Sequence, residues 1–248
     1  MAWAAVPDSI AQWGDDNTAV KNSRRWKSAN FNPLYYNPNV TYTPPVDANG
    51  NALTTSFTAA WRNGFDTSRG SVDLSSGYRP MDVYRPNSDC SSTSNTTCHY
   101  VNHPAADFAN TTANTAAYYY VFDHSLTNCD GTRNDDDCYR RVVVSDTSGP
   151  GGTDERQNFA NWYSFYRTRN LMTVTAAARA FASVGGNVRL AWQALSACNS
   201  FGTSCQGWNS GTSYDNRIRT FQGTHRSNFY NWLFRLPADG WTPLRSAL

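Results

Sequence analysis

The stretch Thr153-Asp-Glu-Arg-Gln-Asn-Phe-Ala-Asn-Trp-Tyr-Ser-Phe-Tyr-Arg-Thr-Arg-Asn-Leu-Met-Thr-Val-Thr-Ala-Ala-Ala-Arg-Ala-Phe-Ala-Ser-Val-Gly-Gly186 decides the fold class. Within it Phe159, Trp162, Tyr163, Tyr166, Asn170, Val174, Ala177 and Phe181 recur at steps of one, three or four residues. That spacing lays down one broad, mostly apolar face of about seven turns. It predicts a single helix over 154–184. Thr153 or Asp154 can cap its start, and Asp154 and Glu155 suit the positive end of the helix dipole. Gly185-Gly186 ends it. Downstream, Val188, Leu190 and Trp192 alternate with Arg189, Ala191 and Gln193, a strand pattern over 187–195. A second helix is expected over 226–236, with Phe229, Trp232, Leu233 and Leu236 on one face. Thr242-Pro243 then reads as a further helix start, a capping hydroxyl followed by proline at N1. Helix, strand, helix and a new helix start together predict an α/β layer fold over 151–248.

Upstream the character changes. Thr147-Ser-Gly-Pro-Gly-Gly152 reads as a joint. Residues 1 to about 150 read as loops and short strands, punctuated by Asn32-Pro33, Asn37-Pro38, Pro44-Pro45, Asn49-Gly50 and Ser76-Gly77. Ala117-Tyr-Tyr-Tyr-Val-Phe122 and Arg141-Val-Val-Val144 are expected strands, from their aromatic and β-branched content. The whole chain has 248 residues, a net charge of +2 and only 16% charged residues, against about 25% in an average domain. That balance argues against a nucleic-acid partner, which needs a basic face. No apolar run approaches the ~20 residues of a transmembrane helix, and no signal peptide precedes Met1-Ala-Trp-Ala-Ala.

Six cysteines fall into near-neighbour pairs: Cys90 and Cys98, Cys129 and Cys138, Cys198 and Cys205. An even number of cysteines in polar loops points to disulfides and an oxidising compartment. Six cysteines allow about fifteen connectivities, of which nearest-neighbour pairing has the lowest loop-closure entropy. Zinc is a poor rival, because no C-x-x-C or H-x-x-x-H spacing is present.

The remaining candidate sites are weak. Asp130-Gly-Thr-Arg-Asn-Asp-Asp-Asp137 could offer carboxylates to calcium, but it lacks EF-hand spacing and reads better as a solvated turn inside a disulfide. His99, His103 and His124 have no regular spacing, and Asp123 beside His124 is a slight dyad signal. Trp208 and Tyr118-Tyr119-Tyr120 could stack on sugars, though strand and helix faces account for most aromatics as core. No G-x-S-x-G elbow, H-E-x-x-H motif or P-loop appears. The rival class, a secreted carbohydrate-binding module or glycoside hydrolase, needs a convergent carboxylate pair that the sequence does not display. The expectation is therefore no enzyme and no catalytic residue.

Two stretches carry a family resemblance. Gln157-Asn-Phe-Ala-Asn-Trp-Tyr-Ser-Phe-Tyr-Arg-Thr-Arg-Asn-Leu-Met172 resembles the signature helix of the PilY family, type IV pilus biogenesis proteins and tip adhesins of bacteria. Tyr35-Tyr-Asn-Pro-Asn-Val-Thr-Tyr-Thr-Pro-Pro45 resembles a second motif of that family. Between residues 46 and 156 no stretch is recognised as a motif of that family. The resemblance implies a von Willebrand factor A-like fold, a Rossmann-like doubly wound sheet, here incomplete and with a large loop- and β-rich insertion over 1–150. It implies an exported protein at the bacterial cell surface, the pilus tip, or the outer membrane or periplasm, with minor pilins or the pilus tip and host or abiotic surfaces as partners. Such domains carry a metal-ion-dependent adhesion site opened by a D-x-S-x-S motif. Met1-Ala-Trp is similar to the segment that closes that motif, which makes the chain a fragment. Asp239-Gly-Trp-Thr-Pro-Leu is similar to the family's G-G-T-P-L segment, with Trp241 in place of the second glycine. By that likeness Thr242 is one ligand of a partial Mg²⁺ or Mn²⁺ site whose other ligands lie outside the chain, and this fragment holds no cofactor by itself.

Overall fold

The computed structural model describes residues 23–78, 115–194, 198, 200–206 and 212–236. The expectations for Cys90, Cys98, His99, His103, Trp208 and Thr242 lie outside them. The chain divides into two compact units. The larger takes its described residues from 23–43, 55–78 and 115–172; the smaller takes 44–54 and those from 173 onward.

In the larger unit, β1 (Ala60–Trp61) pairs antiparallel with β2 (Ser71–Val72). The expected strands around 117–122 and 141–144 form as β3 (Tyr118–Phe122) and β4 (Tyr139–Val143). They pair antiparallel, with Tyr119 opposite Val142 and Phe122 opposite Tyr139. The next elements are α1 (Arg156–Phe165) and α2 (Arg169–Ala182), and the division between units falls inside α2.

These two helices replace the single helix expected over 154–184, and the side chains at the break explain why. The Tyr166 and Arg167 N–H groups both bond the Trp162 carbonyl, closing α1. Arg167 turns inward, donates to the Arg62 carbonyl at 2.7 Å and lies 4.1 Å over the Tyr163 ring. Thr168 then caps α2 by accepting the Leu171 N–H on its hydroxyl. A mid-face arginine and threonine fit the helical period, but tertiary contacts for the first and a capping bond for the second offset the interrupted helix. The start also differs from the expected caps. Glu155 occupies the N-cap position of α1, and Asp154 accepts the Arg156 N–H from just outside.

The core of this unit is aromatic. Phe159, Trp162 and Tyr163 of α1 pack with Tyr35, Tyr36, Tyr78 and Tyr119, all buried. Trp162 lies 5.1 Å from Tyr35 and Phe159, ring centre to ring centre, and Tyr36 lies 4.7 Å from Phe159. Each such ring contributes roughly 1.5–3 kcal/mol by burial. Gly64 lets β1's connection meet α1: its N–H bonds the Ser164 carbonyl, and any Cβ there would overlap the Phe165 ring.

In the smaller unit, α3 (Gly223–Leu233) starts three residues before the expected helix and buries Phe229, Trp232 and Leu233 as expected. Leu236 falls beyond its end. The strand expected over 187–195 shrinks to β5 (Arg189–Leu190), paired antiparallel with β8 (Arg219–Thr220). Val188 is exposed and Trp192 is buried, so the alternation does not place its apolar residues on one face. A further ribbon joins β6 (Cys205–Gln206) to β7 (Ser213–Tyr214). Trp192, Phe229 and Trp232 pack together with edge-on and tilted rings, with Phe181 and Phe221 against Phe229. Asn216, fully buried, ties the unit's irregular backbone: its amide donates to the Trp192 and Ser200 carbonyls and its oxygen accepts the Gly202 N–H. All four sheets among the described residues are two-stranded and antiparallel.

Candidate functional site

Two of the three expected disulfides form among the described residues. Cys129 bonds Cys138 with Cα atoms 4.5 Å apart, and Cys198 bonds Cys205 at 4.9 Å. Nearest-neighbour pairing therefore holds for four of the six cysteines.

The acidic loop inside the first bridge uses its carboxylates on its own backbone and on a neighbouring turn. Asp135 accepts the N–H groups of Asp130 and Asp137, bonds that hold its carboxyl below the usual range. Asp130 accepts the Thr132 N–H. Asp136 accepts the Ser23 hydroxyl and the Arg25 N–H, and Asp137 pairs with Arg24 at 3.2 Å. The loop thus clamps residues 23–25. Cys129, Asp135 and Cys138 lie within 4.8 Å of one another, but both sulfurs are bonded to each other. A magnesium site needs several oxygen ligands in near-octahedral array. Two bridged sulfurs and one occupied carboxylate do not fit it, and Thr242 lies outside the described residues.

The other sequence candidates separate in space. Asp123 accepts the Ser125 N–H and hydroxyl and pairs with Arg140 at 3.4 Å; His124 is exposed. Tyr119 points into the core, where Tyr36 lies 5.2 Å away, while Tyr118 and Tyr120 meet edge-on at 87°. Arg141 covers the Tyr118 ring at 4.1 Å. Burial raises the Tyr118 hydroxyl to about 12. These tyrosines give no flat platform for a sugar.

One polar centre escapes a reading of the sequence. Glu155 is 3% exposed and accepts hydroxyl donors from Tyr36 at 3.1 Å, Tyr119 at 3.3 Å and Ser148. Burial first, then the Glu155 charge, pushes both tyrosines well above their ordinary value. In sequence Glu155 looks like an exposed acid at a helix start; no local signal marks three hydroxyls converging from distant segments. The centre joins the Tyr35-Tyr36 segment, β3, the Gly-Pro joint and α1, and its chemistry is that of a buried structural node. Lys27, 4% exposed, is a second buried charge, and its pKa is lowered to about 8 chiefly by desolvation.

Comparison with known proteins extends over every residue of the chain. The type IV pilus biogenesis factor PilY1 of Pseudomonas aeruginosa strain PAO1 is 41% identical over 258 aligned residues, covering 100% of this chain and 19% of the relative. The factors of the same name from strains PAK and UCBPP-PA14 are 38% and 35% identical, again over the whole chain and 19% of each relative. The chain thus spans about a fifth of the length of the curated relatives it matches. No family model matches it, and no solved structure matches it significantly.

Proposed function

The chain belongs to the PilY1 family of type IV pilus biogenesis factors, and from that membership we propose that it is a segment of an exported pilus-assembly protein that also serves surface adhesion. The observation that carries this reading is identity of 35–41% to three such factors along the full chain. Both stretches that resemble the family enter one core, Tyr35 and Tyr36 against Phe159 and Trp162. Two disulfides in polar loops support a site outside the cytoplasm. No helix of the described residues is long and apolar enough to cross a membrane. The role is structural and adhesive rather than enzymatic.

In the finer reading, residues 151–248 are the α/β portion of an A-type domain and 1–150 its insertion. The insertion supplies the contact surface for host or abiotic targets, and minor pilins or the pilus tip are the assembly partners. In the full-length protein Thr242 contributes its hydroxyl to a Mg²⁺ or Mn²⁺ site. The test is complementation of a strain lacking the parent protein. A full-length protein without these 248 residues, secreted at normal level, should fail to restore surface pili, attachment or both. Full restoration of both would refute the reading. Thr242→Ala in the full-length protein should lower Mg²⁺ affinity in calorimetry; unchanged affinity would remove Thr242 from the site.

A further inference from the structure

We propose that the outer edge of β4 is a docking edge for an extended, acidic segment of a partner protein, which adds to the β3–β4 ribbon as a third strand. In an antiparallel pair, alternate residues turn their N–H and C=O toward the partner strand. Here the phase is set by two bonds, Asp123 N–H to the Cys138 carbonyl and Val144 N–H to the Ala117 carbonyl. With Tyr119 opposite Val142 and Val121 opposite Arg140, the inward-facing residues of β4 are Arg140 and Val142. Arg141 and Val143 therefore turn their backbone groups away from β3.

The two outer edges of the ribbon differ. On β3, the Phe122 N–H donates to the Asn30 side chain at 3.0 Å, and the Tyr118 carbonyl accepts the Tyr35 hydroxyl at 3.3 Å. That edge is covered. On β4, no hydrogen bond reaches the backbone of Arg141 or Val143 from that side among the described residues. Val143 is 46% exposed, and Arg140 and Arg141 are exposed beside it. An open edge with free donors and acceptors is a template for strand addition.

Charge selects the occupant. Arg140-Arg141-Val142-Val143 carries two cations; Asp123 partly balances Arg140 at 3.4 Å, and no acid is paired with Arg141 among the described residues. Arg141 is held in place by the Tyr118 ring and by a bond to the Thr115 hydroxyl at 3.2 Å. A second copy of the chain aligned with Arg141 opposite Arg141 would bring arginine against arginine, so self-pairing in that register is repelled. An antiparallel partner strand with apolar residues opposite Val142 and Val143 and acids opposite Arg140 and Arg141 satisfies both the backbone and the charges.

The probe is the blocked peptide Thr-Val-Val-Glu-Glu-Thr, titrated to millimolar concentration into the ¹⁵N-labelled 248-residue chain. Amide exchange of Arg141 and Val143 is expected to slow about tenfold at saturation, while the ladder amide of Val142 changes little. The matched peptide Thr-Val-Val-Lys-Lys-Thr should give no such slowing. Arg141→Glu should reverse the preference between the two peptides. Val143→Pro removes an outward N–H at a position where an edge strand tolerates proline, and it should abolish binding. If that variant does not fold, the Arg141→Glu exchange still decides. No slowing at either amide, equal slowing by both peptides, or slowing that grows with protein concentration alone would each overturn the proposal, the last in favour of self-pairing.

Discussion

Replacing Glu155 with alanine tests whether the buried carboxylate holds the larger unit together. The loss can be worked donor by donor. Ser148 keeps other partners, since its hydroxyl also meets the Ser145 carbonyl and accepts the Ser145 N–H. Tyr36 keeps the Asn158 amide at 3.1 Å as a donor to its oxygen, but its own O–H, fully buried, loses its acceptor. Tyr119, 2% exposed, is left with only a 3.5 Å approach to the Ser148 carbonyl. Two buried hydroxyl donors, on Tyr36 and Tyr119, are thus left effectively orphaned, at about 1–3 kcal/mol each. The small cavity adds about 1 kcal/mol, and relief of carboxylate desolvation offsets part of the total. The expected net loss is about 3–5 kcal/mol, a large share of a typical domain stability of roughly 5–15 kcal/mol. Glu155→Gln keeps the volume and an acceptor oxygen and should lose roughly half as much. Urea unfolding of the oxidised chain, followed by tryptophan fluorescence, measures the midpoint at constant slope. A double-mutant cycle with Tyr119→Phe should show a coupling near 1 kcal/mol or more. A loss below about 0.5 kcal/mol, or a cycle that closes to zero, would refute the account.

Trp162→Ala should cost about 3–5 kcal/mol by emptying the centre of the aromatic core; an unchanged unfolding midpoint would show that the face is not buried. Removing the Cys198–Cys205 bridge by a double serine substitution should cost about 2–3 kcal/mol in the loop-entropy picture, and intact mass should show no free thiol at either position before substitution. Lys27 provides a pH signature. Its folded pKa, about 8, lies below its ordinary 10.5, so between those values the unfolded chain binds more protons. Stability should therefore rise with pH across that window, with the burial penalty fully present below about 8. Lys27→Met should abolish the rise; parallel pH profiles of the two proteins from about pH 7.5 to 9.5 would contradict the assignment.

The legible parts of the fold were those written in local pattern. Phe159, Trp162 and Tyr163 follow the helical period and are core residues; Tyr118–Phe122 carries its β character in its composition and is a strand. The two observed disulfides follow from short polar loops. The break at Tyr166–Thr168 was not legible, because Arg167 fits a helix by period and leaves it only through the Arg62 carbonyl and the Tyr163 ring. The strand over 187–195 was overread, because alternation predicts a face only where a sheet exists to receive it. Trp192 instead enters a cluster built with α3, and Asn216 bonds its carbonyl from twenty-four positions away.

By itself the sequence carried the apolar helical faces around Phe159–Tyr163 and Phe229–Leu233, the strands around Tyr118–Phe122 and Tyr139–Val143, near-neighbour cysteine pairing as an expectation, and the likeness to pilus biogenesis proteins through the segments at 35–45 and 157–172. Each depends on residues close together in the chain, where steric and hydrophobic periodicity act before any tertiary contact. Only the tertiary structure decided that Glu155 is a buried acceptor, that Lys27 is desolvated, that β3 has an edge covered by Asn30 and Tyr35 while no described residue bonds the outer edge of β4, and that the acidic loop clamps residues 23–25. Those properties depend on which distant groups share a low-dielectric interior or a common edge, and chain order does not encode that distance.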